Sequence, residues 1–117
     1  MCVRRLAFAL DLQDDAALIA EYEAWHAPER IPAPVLESLR NSGLANLEIF
    51  RTGNRLFLLI DAPDGFSLDS KAIADANNSD VQAWERLMWS FQKALPWAAP
   101  EQKWVPMQRI FRLKDIP

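Results

Sequence analysis

Cysteine is nearly missing from this chain. Cys2 is the only one in 117 residues. One thiol cannot close an internal disulfide, so a reducing cytoplasm is the expected setting. Cys2 also stands too near the chain end to be a strong nucleophile candidate. Histidine is just as scarce, with His26 alone. One histidine and one cysteine do not make a soft-ligand metal site within a chain, and no metal or cofactor is expected. No apolar run reaches the length of a membrane span. The opening Met1-Cys2-Val3-Arg4-Arg5 leads into a strand pattern, not a signal-peptide core. Basic blocks are missing too. The 13 Lys+Arg against 16 Asp+Glu give a net charge of −3, which argues against nucleic acid as a partner. A glycine-rich phosphate loop, a lysine nucleophile and paired metal carboxylates are likewise lacking. These absences speak against phosphoryl transfer, Schiff-base and metal chemistry. There are no short-period repeats and no low-complexity stretches.

What is present suits one folded domain over residues 1–117, with 50% hydrophobic and 25% charged residues. In residues 5–12, Leu6, Phe8, Leu10 and Leu12 alternate as in a half-buried strand. Asp14 or Asp15 can cap a helix carrying Leu18, Ile19, Tyr22 and Trp25/His26 on one stripe, with Pro28 ending it. Pro34 suits the first turn of a shorter helix, and Asn41-Ser42-Gly43 stops it. Residues 44–51 and 55–62 read as two strands joined by a tight turn with glycine first, at Gly53-Asn54. Residues 67–76 read as a weak helix. Ser79 through Gln82 fits a capping box opening a stronger one, which Pro96 breaks. Residues 97–104 read as a loop and Met107–Leu113 as a last strand.

This order predicts an α+β, ferredoxin-like split βαβ–βαβ domain: a four-stranded antiparallel sheet with helices on one face. Leu56 through Ile60 are apolar on both faces, so the open sheet face needs a cover. A second copy is the simplest one, giving a homodimer in the form of a dimeric α+β barrel.

The chemistry concentrates in Tyr22 and His26. They are the only tyrosine and the only histidine, four residues apart. On a helix they share a face, and histidine is the side chain suited to taking and giving protons near neutral pH. Two amphipathic residues at a helix edge, satisfied locally, would give the same spacing. Glu21, Glu23 and Glu29 flank the pair, as a solvated face or as orienting charges. Four of the five tryptophans fall between 84 and 104. Trp89 reads as core, and Trp84 shares the stripe of Leu87 and Met88. Trp97 and Trp104 flank a loop, where core packing explains them less well. A pocket walled by tryptophan and floored by Tyr22 and His26 suits a small monosaccharide. Ser67, Ser70 and Ser79 have no base partner and read as caps and turns.

Taken together, these residues resemble the L-rhamnose mutarotase family. The likeness rests on Arg5-x-Ala7-Phe8, on Tyr22-x-x-x-His26 before a proline-containing segment, and on Gly43 before the strand ending Ile49-Phe50. Gln82-x-Trp84, Met88 and the closing Ile110-Phe111 complete it. The resemblance implies a cofactor-free isomerase that interconverts the α and β anomers of a 6-deoxy-L-hexose, L-fucose or L-rhamnose. It implies Tyr22 and His26 as catalytic residues and Trp84 as a sugar contact. Glu85, Trp97 and Trp104 are the further candidates for the sugar. The rhamnose enzymes set two tryptophans in succession where this chain has Trp84-Glu85, a departure compatible with the L-fucose branch. Because dimeric ferredoxin-like domains also host cofactor-free monooxygenases, such an activity is the alternative.

Overall fold

The computed structural model describes residues 3–117, so Cys2 lies outside the described residues. Strand β1 spans Val3–Leu12, followed by helices α1 (Ala16–Trp25) and α2 (Ala33–Asn41). Strands β2 (Asn46–Thr52) and β3 (Arg55–Pro63) form the central hairpin. Helices α3 (Leu68–Ala76) and α4 (Ser79–Trp89) follow, then the short strands β4 (Gln92–Lys93) and β5 (Val105–Pro106). The sheet order is β2-β3-β1-β4, antiparallel throughout, with β5 also on β1. This is the split βαβ–βαβ order that the element sequence predicts.

Local chemistry sets the element ends. Asp15 accepts from the Leu18 N–H (3.0 Å) and opens α1. Gly43, at φ +90°, carries the chain out of α2 in a conformation that costs other residues strain. Gly53, at φ +55°, makes the hairpin turn between β2 and β3.

Two sequence expectations are corrected. The cap of α4 is Asn78, whose side chain accepts from the N–H groups of Asp80 (3.0 Å) and Val81 (3.2 Å). Ser79 is already inside the helix, and Gln82 reaches across to the Asp75 carbonyl instead of back to the cap (2.9 Å). The second correction concerns Met107–Leu113, which is not a strand. The edge of β1 is taken by β4 and β5, and the last ladder contact there is Met107 N–H to the Ala7 carbonyl (2.8 Å). Past this point the chain leaves the sheet with Ile110, Phe111 and Leu113 exposed, ending in a 3₁₀ turn at Leu113–Asp115.

Strand β3 alternates strictly, with Leu56, Leu58, Ile60 and Ala62 buried on the helix side. They join Phe8, Leu10 and Leu12 in a core of two clusters, one around Phe8 and Ile60, the other around Leu12, Tyr22 and Met88. The cross-strand pairs Phe50–Phe57, Ala9–Phe57 and Ala7–Leu59 put apolar side chains on the opposite face. Ion pairs Arg5–Asp61 (3.0 Å) and Arg55–Asp11 (2.7 Å) bracket that stripe at its two ends. Among the described residues no helix is long and apolar enough to cross a membrane.

Asn78→Ala should lower unfolding stability by about 1 kcal/mol. Ser79→Ala should stay within about 0.5 kcal/mol of the parent. Urea denaturation of both variants checks the assignment of the cap.

Candidate active site

The sheet and the four helices do not close completely on each other. Between them lies a cavity of about 350 Å³, mostly apolar. Its size is at the small end of ligand pockets, which run from about 300 to 1,000 Å³. Phe8, Leu47, Ile49, Leu58 and Ile60 line it from the sheet, and Trp104 closes it from the segment before β5. Tyr22 and His26 reach it from α1, Trp84, Glu85 and Met88 from α4, and Gln92 from β4.

Tyr22 and His26 meet as the spacing predicts, with ring centroids 4.6 Å apart. His26 is not within the helix but is its C-cap residue. The proline at 28 disfavours helical backbone just before it, which helps end the helix here. The His26 Nδ1–H donates to the Tyr22 carbonyl at 2.7 Å. A carbonyl can only accept, so Nδ1 holds the ring proton and Nε2 keeps its lone pair. The His26 ring also meets the Trp84 ring edge-on at 5.5 Å, and Trp25 braces Trp84 from behind at 6.2 Å.

Burial acts on the two groups in opposite senses, because it penalises the charged form of each. It lowers the His26 pKa below 6.5, only partly offset by the bond to the Tyr22 carbonyl. It raises the Tyr22 pKa to about 12 against the lowering effect of the Gln92 hydrogen bond, while the charge of Glu85 adds a further rise. Near pH 7 the pair is therefore neutral imidazole beside neutral phenol.

The structure gathers Tyr22, His26, Trp84, Glu85 and Trp104 around one cavity. It does not bring Trp97 to it. That ring is 63% exposed and lies over the Arg55 guanidinium at 5.3 Å. Trp89, expected in the core, is 40% exposed and faces Lys103 instead.

Gln92 and Lys103 are among the residues at the site that the sequence does not point to. Gln92 is buried, and its amide N–H donates to the Tyr22 hydroxyl at 3.3 Å. Its carbonyl oxygen is buried with no partner among the described residues. Lys103 donates to both the carboxylate (2.9 Å) and the carbonyl (3.1 Å) of Glu85, tying the Trp104 segment to α4. Tyr22 and His26 also line a second, more open recess bordered by Arg51 and Glu23, which are paired at 3.2 Å.

Comparison with known proteins agrees with this geometry. Residues 5–113 match the family described as L-rhamnose mutarotase. The chain belongs to that family. It is a mutarotase, an isomerase acting on carbohydrates. The chain is 50% identical over 115 residues to an L-fucose mutarotase of Xanthomonas campestris pv. campestris, covering 98% of this chain and 92% of that one. It is 30% identical to a UPF0734 protein of Dictyostelium discoideum, covering 92% and 87% of the two chains. The crystal structure of an L-rhamnose mutarotase from Formosa agariphila superposes with a TM-score of 0.61 at 21% identity, covering 94% of this chain and 98% of that one. At that identity the likeness concerns the fold. Nothing in these matches favours the monooxygenase alternative.

Because the mutarotase has one histidine, its imidazole ¹⁵N signals can be read directly. They should titrate with a midpoint below 6.5, and at pH 8 Nδ1 should be the protonated nitrogen. A midpoint above 6.5 would contradict a desolvated ring.

Proposed function

We propose that this mutarotase acts on L-fucose, with His26 as the base and Tyr22 as the acid of ring opening. The sugar is supported by the relative at 50% identity, an L-fucose mutarotase matched over nearly the whole of both chains. Glu85, where the rhamnose enzymes have a second tryptophan, is consistent with it. For the roles, the observation that carries the reading is the His26 Nδ1–H bond to the Tyr22 carbonyl, which leaves Nε2 as a lone-pair base.

His26 Nε2 takes the proton of the C1 hydroxyl. As the C1–O5 bond breaks, its electrons go to O5, and the pair left on O1 by the departing proton forms the second C1–O1 bond of the aldehyde. The Tyr22 hydroxyl gives its proton to O5, and the Gln92 N–H steadies the oxygen left behind. Rotation about C1–C2 turns the aldehyde, and the same transfers in reverse close the ring on its other face.

Burial pushes Tyr22 up to about 12 and lowers His26 below 6.5, so the phenol holds its proton far more tightly than imidazolium does. The neutral pair is therefore the resting state, and phenolate beside imidazolium is confined to the transient one. A phenol pushed up to about 12 stands nearer to an alcohol in acidity than a free phenol does, which suits proton exchange with O5 in either direction.

The same reading includes a cytoplasmic homodimer. Its support is the apolar stripe of Phe50, Phe57, Leu59, Ala7 and Ala9 on the helix-free sheet face, framed by ion pairs. Phe50 alone is 49% exposed there, and the exposed Ile110 and Phe111 of the last segment add more apolar surface. A second copy turned two-fold onto this face covers such a stripe with its own.

Saturation-transfer NMR on L-fucose should show enzyme-driven anomer exchange, faster than on L-rhamnose. His26→Ala should slow it about 10²–10⁴-fold with the fold intact. Equal exchange on the two sugars, or unchanged exchange in His26→Ala, would contradict the assignment. Light scattering should give a dimer mass for the parent and a monomer mass for Phe57→Glu. A monomeric parent would overturn the dimer.

A further inference from the structure

Helix α3 is built inside out. Ile73 is 65% exposed, while the side chains of Lys71 and Asp75 are only 19% and 23% exposed. Leu68, Lys71, Ala72 and Asp75 recur at i, i+3, i+4 and i+7, so they share one face of the helix. All four line the cavity that holds Tyr22 and His26. No residue of α3 is buried, so packing does not explain the arrangement. A helix that covers an apolar cavity would ordinarily present its isoleucine inward and its charges to water. Here it does the reverse, at a desolvation cost that an ion pair alone repays poorly.

We propose that Lys71 and Asp75 bind the C3 and C4 hydroxyls of the sugar and thereby select the 6-deoxy-hexose. This rests on the mutarotase site at Tyr22 and His26. The pair is joined by one hydrogen bond, Lys71 Nζ to Asp75 Oδ2 (2.5 Å). Two ammonium N–H groups and the other carboxylate oxygen have no partner among the described residues. Adjacent donor and acceptor match a vicinal diol, which offers both in return.

Placement agrees with this role. The Gln82 side chain holds the Asp75 carbonyl at the start of α4, whereas Tyr22 and His26 pack further along α4, at Trp84 and Met88. At 1.5 Å per residue the points where the two polar groups meet α4 are about 3–9 Å apart along that helix. With C1 and O5 at the acid/base pair, the ring carbons farthest away are C3 and C4. L-Fucose and L-rhamnose have opposite configurations at C4, so contacts there discriminate between them. Val81 and Leu39 add apolar wall to the same cavity, which suits the C6 methyl.

The test is the double variant Lys71→Met/Asp75→Leu. Replacing a half-buried ion pair by apolar residues of similar size leaves folding intact or improves it. The melting temperature should therefore hold or rise. The KM for L-fucose should rise about 10–100-fold, as loss of hydrogen bonds to charged groups implies. At saturation kcat should stay within about twofold, because neither residue moves a proton. With 4-deoxy-L-fucose, which keeps only the C3 hydroxyl of the pair, the variant's loss of affinity should be clearly smaller than with L-fucose, as calorimetry would show. If the parent exchanges L-fucose and the variant keeps the parent KM, the pair is a helix staple and this proposal alone falls. An equal loss of affinity for 4-deoxy-L-fucose also overturns it. If the parent neither binds nor exchanges either deoxy-sugar, it falls together with the reading on which it rests.

Discussion

A single hydrogen bond, from the His26 imidazole to the Tyr22 carbonyl one turn behind it, fixes how this cavity's imidazole is presented. It assigns the tautomer, aims Nε2 away from the helix and holds the ring against the phenol of the same residue. The carbonyl is available because α1 ends here, where the last carbonyls of a helix lack partners within it. Stopping the helix and positioning the proposed base are thus one structural event. Tyr22 and His26 also come from one rigid turn, so their spacing does not depend on loop geometry.

The surrounding apolar wall does the rest. Desolvation holds imidazole and phenol neutral together, which is the state needed to accept one proton and donate another. A polar cavity would allow imidazolium at mildly acidic pH and cost the site its proposed base. The polar groups that do line the cavity are few, and each has unfilled hydrogen-bonding capacity. Gln92 presents a buried, unpartnered carbonyl oxygen, and the Lys71–Asp75 pair keeps donors and an acceptor to spare. Unfilled capacity of that kind in a mostly apolar wall points to a hydroxyl-rich ligand.

Much of this was legible in the sequence because it is local. The i, i+4 spacing of Tyr22 and His26, the strict alternation of β3 and the Gly53 turn depend on residues within a few positions of each other. What escaped depends on distant partners. Met107–Leu113 has strand composition, but β4 and β5 already occupy the edge of β1. Asn78 and Ser79 are both good caps, and only backbone geometry picks Asn78. Trp97 has the composition of a sugar platform and instead stacks on Arg55. Gln92, Lys71 and Asp75 carry no signal in sequence, since a polar side chain on a short strand or weak helix ordinarily faces water. Its burial becomes visible only once the helices are placed on the sheet.

The central claim is that neutral, desolvated His26 is the base. The most direct measurement is kcat/KM for L-fucose anomer exchange between pH 4.5 and 9. Protonation of His26 removes the base, and its pKa is lowered, so activity should be flat at neutral pH. It should fall on the acid side with a midpoint below 6.5, matching the titration of the His26 ring, and show no Tyr22 limb by pH 9. A rate indifferent to pH across this range, or an acid limb that persists in His26→Ala, would contradict it.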